Sequence, residues 1–415
     1  MSEVLDSLCT AIVDCEHKTA PEGDGFALSV GTKAMKDGRI VLDACKPVSA
    51  ETYDGWTRRL RPEPGDLILA REAPVGQVVR VPAAPLVCLG QRTVLIRPDK
   101  AKVHSRFLHY WLLGPAAQHV MNSQAAGATV PHLNVADIRA LDVSEMPSDP
   151  EQQAVTAMLL GALDDLIENN RRRVAVLDEM AKSIYREWFV HFRFPGHEDA
   201  SFVDSPLGLI PEGWRDTELG SVASVNGSSR KPSATEIVRY LDISCLGDRT
   251  VEPPPVVVGS EAPGRARRVV GADDVVWSMV RPNRRAHALL VEPDDDWIAS
   301  TGLAVITPTH VSGALLFESV SAGEFSDYLV SREGGAAYPA VKPKDFEGAP
   351  FLLPSAEVDR QFAEAVDPSH RLIWALRAES ERLASIRDLL LPKLVTGEID
   401  VSLLDLDAVI EEAVA

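Results

Sequence analysis

Between Glu151 and Trp188 apolar residues recur at alternating steps of four and three: Thr156, Leu160, Leu163, Ile167, Asn170, Val174, Leu177, Ala181, Ile184 and Trp188. The run has no proline, and Gly161 is its only glycine. This spacing predicts a coiled-coil helix with one polar seam position, Asn170. At 1.5 Å per residue it makes a rod of about 57 Å. A second run, Asp359 to Leu391, keeps the same phase through Phe362, Ala365, Leu372, Leu376, Leu383, Ile386 and Leu390, interrupted at Pro368, Ser369 and Glu379.

Each rod follows a globular segment. The first segment alternates short apolar stretches with Gly and Pro, predicting strands at Phe26–Val30, Asp66–Ala70, Gln77–Val81 and Thr93–Pro98. A helical piece from Ser105 to Asn122 and a loop at Gly127–Asn134 follow. The stretch Phe192–Trp214, rich in Pro and Gly, reads as a linker. The second segment then repeats the first. Gly271–Val291 answers Pro64–Val81, Ser300–Pro308 answers Gly90–Pro98, Gly334–Phe346 answers Ala126–Ile138, and Asp359–Val366 answers Glu151–Met158. The period is far longer than that of solenoid repeats, so the repeated unit is a domain plus its helix. The expected fold is α+β, with tandem domains at 1–150 and 195–355. Long helices at 151–194 and 356–415 would pair as an antiparallel coiled coil, giving a pseudo-two-fold internal repeat.

At 415 residues, 45% hydrophobic and 25% charged, the chain has room for two or three ordinary globular domains. No apolar run is long enough to span a bilayer and the N-terminus lacks a basic leader, which predicts a cytoplasmic protein without membrane association. Five scattered cysteines without a CxxC pair suit a reducing compartment. The net charge of −19 is uneven: −2 over 1–150, −3 over 151–200, −7 over 201–355 and −7 over 356–415. A dominant basic surface is therefore excluded, although local patches decide binding.

Catalytic signatures are missing: no phosphate loop, no GxGxxG after a strand, no HExxH and no GxSxG. The pairs His104/His109 and Cys15/His17 lack further ligands, so neither a metal nor a catalytic residue is assigned. Arg97–Lys100, RPDK, echoes part of a nuclease carboxylate motif without its partner, and a strand end entering a turn explains it. Asp164 and Asp165 are adjacent on a helix, which fits a solvated face or an interface better than paired acid–base chemistry. Arg171, Arg172 and Arg173 read as a solvated face, or a phosphate contact at best.

What remains is basic clustering at matching places. The first segment offers Arg58, Arg59, Arg61, Arg71 and Arg92, with His132 and Asn134 in the loop beyond. The second offers Ser228, Ser229, Arg230 and Lys231, then Arg265, Arg267 and Arg268, then Arg281, Asn283, Arg284 and Arg285. Arginine forks suit guanine edges and phosphates, and asparagine suits adenine.

These motifs, in this order, resemble the DNA-specificity subunits of Type I restriction-modification systems over almost the whole chain. The resemblance rests on Glu151-Gln152-Gln153 with Ala162–Arg173 and Ile184–Phe192, on Leu207–Trp214, and on Trp277–Arg285 with Ser300–Ile306. Asp14–Pro21, Arg71–Gly76, Gly90–Pro98 and Leu390–Val401 add to it. It implies two target-recognition domains held apart by paired helices, each reading half of a split, asymmetric site in double-stranded DNA. It also implies docking of two adenine-N6 methyltransferase subunits, which carry S-adenosylmethionine, and of a restriction/translocase subunit using ATP and Mg. Leu163, Ile167, Asn170, Val174, Leu177, Ile184, Leu376, Leu383 and Leu390 are the expected helix-pairing and docking residues. The chain itself would hold no cofactor.

Physical reasoning agrees with this layout. A rod of about 57 Å separates two readers by somewhat under two duplex turns of roughly 34–36 Å. Rigid linkage of two weak readers raises avidity by roughly 10²–10⁴. Two departures stand out: the first rod is preceded by Met146–Pro150 rather than a proline-rich lead, and Pro368 should kink or delay the second helix. The acidic totals predict that partners supply much of the phosphate neutralisation. Alternatives are an orphan or phage-type specificity protein serving a methylase only, and an acidic coiled-coil scaffold. An enzyme in its own right is disfavoured.

Overall fold

The computed structural model describes residues 3–125, 131–206, 208–334 and 339–401. The chain divides into two compact units, one of Met1–Glu168 with Ser380–Ala415, the other of Asn169–Glu379. Each unit contains one globule and part of both long helices.

In the first unit a four-stranded antiparallel sheet runs in the order Cys9–Asp14, Thr93–Pro98, Leu67–Ala70, Val78–Arg80. A smaller sheet orders Lys46–Val48, Ala27–Val30 and Val87–Leu89, its last pair parallel. Leu67, Ile68, Leu69 and Ala70 are all buried, because the sheet is covered on both faces. The helical piece is two helices, Ser105–Leu113 and Pro115–Gln124, with Gly114 extended between them and Pro115 opening the second.

The second unit repeats this plan. Its sheets run Ala223–Val225, Leu303–Pro308, Asp274–Ser278, His287–Leu290 and Val256–Val258, Ile237–Leu241, Trp297–Ser300, Ala266–Val269. The parallel pair recurs between Ile237–Leu241 and Trp297–Ser300, and Ala266–Val269 is an added edge strand. Helices Gly313–Ser321 and Gly323–Ser331 take the places of Ser105–Leu113 and Pro115–Gln124. The loop expected at Gly127–Asn134 and its counterpart after Gly334 fall partly outside the described residues.

The long helices are Pro150–Tyr185, followed by a wider turn at Arg186–Val190, and Ala356–Val395. They run antiparallel in both units. In the first, Asp164 accepts from Arg387 Nη1 at 2.9 Å; in the second, Asn170 Nδ2 donates to Glu379 Oε2 at 2.9 Å and Tyr185 meets Phe362 edge-on. The two polar interruptions of the sequence pattern, Asn170 and Glu379, thus answer each other. Every predicted seam position of the first helix is buried or half-buried. The second helix departs from its prediction. Ala365, Leu372 and Ile386 are exposed, and the inward positions are Val358, Phe362, Val366, His370, Ile373 and Leu376. Steps of four dominate there, so the stripe follows the 3.6-residue period rather than a strict heptad. Pro368 lies inside a helix that starts twelve positions earlier at Ala356, so it does not delay it. Gly161 is small for a reason: a Cβ there would lie 2.4 Å from Arg106 Cζ, whose guanidinium donates to the Gly161 carbonyl and to Asp165.

Two further expectations change. The stretch Phe192–Trp214 is packed rather than a free linker: Phe194, Ile210 and Trp214 enter the second unit's core, and Trp214 meets Phe189, Phe192 and Phe194 at 5.2–5.7 Å. Each such ring pair contributes about 0.5–1.5 kcal/mol beyond area burial. The repeat register also moves. Gln153 Oε1 accepts from the backbone N of His104, and Asp359 does the same for Ser312, so Asp359 corresponds to Gln153 rather than Glu151.

Candidate nucleic-acid interface

In the first unit the candidate residues gather around the turn Asp14–His17. Arg71 Nη1 donates to both Asp14 oxygens at 2.7 and 2.8 Å, and its Nε–H donates to the Leu133 carbonyl. Only 14% exposed, it braces the loop and has little left to offer a ligand. Arg58 and Arg59 meet Glu16, and Arg59 also donates to the Asp14 carbonyl. Arg92, in the left-handed region, pairs with Glu72, whose backbone bridges to His132. Asn134 is exposed and begins the short helix Val135–Arg139. Arg61 stands apart, on Asp54. All five arginines therefore face a carboxylate.

Sequence reasoning chose these arginines but not their acidic partners Asp14 and Glu16, since pairing across 42 to 57 positions leaves no local pattern. Ligand atoms of Asp14, Cys15 and His17 lie within 4.8 Å of one another. Asp14 is already engaged by Arg71 and by His17 Nε2 at 2.9 Å, so the group reads as an ion-pair cluster. Arg97, of the RPDK motif, is likewise structural: it forks onto buried Asp66 at the end of its strand.

In the second unit the candidates form two groups. Ser228–Arg230 lies along the strand Ala266–Val269: Ser229 bridges Arg268, Arg230 N donates to the Arg267 carbonyl, and Val269 N to that of Ser228. Arg230 pairs with Glu236, whose carboxyl is held below its ordinary range by the Ser233 amide first and by Arg230 second. Arg267 donates to the Gly264 carbonyl. Among the described residues, Lys231, Arg265 and Arg268 face no carboxylate.

The other group is the turn Arg281–Arg285, left-handed at both ends. Arg281 N bonds the Pro339 carbonyl, while Arg285 donates to the Ser321 carbonyl and faces Asp248. Buried His287 fixes the turn from below, with Nδ1 2.7 Å from the Arg285 carbonyl and Nε2 2.9 Å from Ser321 Oγ. Burial lowers its pKa to about 3, so it is neutral and donates from Nδ1. Arg285 is thus anchored, while Asn283 and Arg284 project outward. Here arginine forks sit on strand-borne turns with solvent before them, as contact with base edges or phosphates requires.

The helix residues expected to dock partners are largely used within the chain: Leu163, Ile167, Val174, Leu177, Ile184, Leu376, Leu383 and Leu390 are all buried or half-buried. Outward apolar positions are Met158, Leu166, Val176 and Met180 on the first helix, and Leu372, Ile386 and Leu389 on the second. Among the described residues no helix is long and apolar enough to cross a membrane.

No protein-family model matches the chain. It is 23% identical over 343 residues to the Type I restriction enzyme MjaIX specificity subunit of Methanocaldococcus jannaschii, covering 81% of this chain and 78% of that one. It is 21% identical over 375 residues to the Type I restriction enzyme HindI specificity subunit of Haemophilus influenzae, covering 74% and 80%. Among solved structures it is similar in fold to the Type-I restriction-modification system S subunit from M. genitalium, with a TM-score of 0.59, 14% identity and coverage of 95% and 96%. By sequence this chain is similar to Type I restriction enzyme specificity subunits, and its fold is similar to that of a Type-I restriction-modification S subunit.

Proposed function

We propose that the chain is the non-catalytic DNA-recognition subunit of a Type I restriction-modification complex. Each unit reads one half of a bipartite, asymmetric site, and the long helices set the gap and carry adenine-N6 methyltransferase subunits, two in number. S-adenosylmethionine then belongs to the methylase, and ATP with Mg to a restriction/translocase subunit, all in the cytoplasm. The observation that carries this reading is the duplication of one globule with exposed basic turns at its strand ends, together with the kinship above. Dividing recognition between two modest readers suits a chain of net charge −19, because linkage supplies avidity that charge does not.

The test is co-expression with a methylase encoded beside it, followed by mapping of methylated adenines across the host genome. Two short specific blocks around a fixed gap are expected. A stable complex that leaves DNA unmethylated and unbound would replace this reading with a protein scaffold. Methylation without cleavage would leave recognition intact and remove the restriction subunit.

A further inference from the structure

Beside its share of the long helices, the first unit contains an open cavity of about 410 Å³, lined by Asp37, Gly38, Gly76, Tyr110, Asp164 and Asp388 among others. The internal repeat shows what occupies the same place in the second unit. Gly38 closes the turn between short strands Met35–Lys36 and Arg39–Ile40; in the second unit that turn, between Leu246–Gly247 and Thr250–Val251, ends on Arg249. Gly76 precedes Gln77, whose carbonyl accepts from Ala70 N; Arg285 precedes Ala286, whose carbonyl accepts from Ser278 N. All four backbones are left-handed, with φ of 75° and 85° at the glycines, 58° at Arg249 and 52° at Arg285. That conformation favours glycine, so two arginines there are retained against local preference.

Their side chains fill the space. Arg249 donates to Glu318 at 2.6 Å and to Asp178 at 2.8 Å, and lies 4.3 Å over the Phe317 ring. Arg285 reaches the Ser321 carbonyl at 2.6 Å and faces Asp248. Phe317, Glu318 and Ser321 hold the fifth, sixth and ninth positions of helix Gly313–Ser321; His109, Tyr110 and Leu113 hold them in Ser105–Leu113. Where the second unit holds two guanidinium groups, one buried and one half-buried, the first has open space. Its charge fits the same occupant. Asp37, Asp164 and Asp388 line the cavity with a single cation, Arg387, which is shared between Asp164 and Asp388.

We propose that this cavity is a guanidinium-binding site, which takes an arginine side chain presented by a partner polypeptide. A planar guanidinium fork matches carboxylates better than a compact ammonium does. The inference stands apart from the DNA reading and needs no nucleic acid.

The full-length chain titrated calorimetrically with N-acetyl-arginine-amide tests it, with N-acetyl-lysine-amide as the control of equal charge. Saturable binding of the arginine compound is expected, with the lysine compound clearly weaker. Asp37→Asn with Asp388→Asn should weaken it by about tenfold. Both side chains are exposed and asparagine tolerates the left-handed turn at Asp37, so folding is kept, which an unchanged thermal transition checks. Gly76→Arg, copying Arg285 at a backbone of the same left-handed region, should fill the site and abolish binding, the Gln118 side chain nearest to the new Cβ having to shift. No saturable binding to the natural chain, equal binding of both compounds, or binding untouched by Gly76→Arg would overturn the assignment.

Discussion

The two units share one fold but place their arginines differently. In the first unit Arg58, Arg59, Arg61, Arg71 and Arg92 are each matched to an acid. In the second, Arg249 is buried to hold the fold, while exposed Arg265 and Arg284 and half-buried Arg268 face no carboxylate among the described residues. A duplicated scaffold thus fixes where loops stand but not what their charges do. An arginine neutralised by a neighbour positions a loop; one left unmatched is available to a phosphate or a base.

The largest expected effect lies in the buried network. Arg249→Met removes the cation between Asp178 and Glu318, leaving a fully enclosed carboxylate beside His370. A loss of about 3–5 kcal/mol is expected, read as a lower midpoint in denaturant. Arg106→Met in the first unit, whose partner Asp165 is exposed, should cost far less. Equal losses would erase the contrast.

Recognition should show the same asymmetry. In the assembled complex, Arg265→Ala, Arg267→Ala and Arg268→Ala together should weaken DNA binding and lower the salt slope by about one per lost phosphate contact. Arg58→Ala with Arg59→Ala should do less, because Glu16 already neutralises them. Fluorescence anisotropy across a salt series checks both, and a larger first-unit effect would reverse the assignment.

A pH effect sharpens the comparison further. Burial lowers the His109 pKa to about 4 and that of His287 to about 3. Unfolded histidine titrates near 6.5, so on acidification the unfolded chain takes up these protons first. Stability should therefore fall as pH drops below about 6.5, levelling only near 4 and 3. His109→Phe, which copies Phe317, should flatten the first unit's share of that fall in thermal melts from pH 7 to 4. An unchanged profile would show that the imidazole is not held neutral by burial.

The smallest effect is expected where the helices meet. Asn170→Ala should cost about 1 kcal/mol with Glu379 present and much less once Glu379→Ala is made, in a double-mutant cycle.

Much of this was legible in the sequence. The rods, the duplication and four of the strands follow from periodicity, which is local. The strand Cys9–Asp14 escaped because CTAIVD mixes small and polar residues and pairs only at a sheet edge. The inward stripe of the second helix escaped because Leu372 and Ile386 satisfy a heptad that the packing of Val366, His370 and Ile373 overrides. The aromatic anchor around Trp214 was hidden among prolines and glycines. At the candidate interface, arginine identity was readable but partnership was not. Asp14 reaches Arg71 across 57 positions, and only folding decides which guanidinium is spent on structure.

The central claim is that each unit reads one half of a split site independently. It is tested most directly by exchanging 195–355 for the matching segment of a relative with a different target, co-expressing with the methylase, and mapping methylated adenines. The account predicts that one block of the motif changes while the other block and the gap persist. A change in both blocks, or in neither, would contradict it.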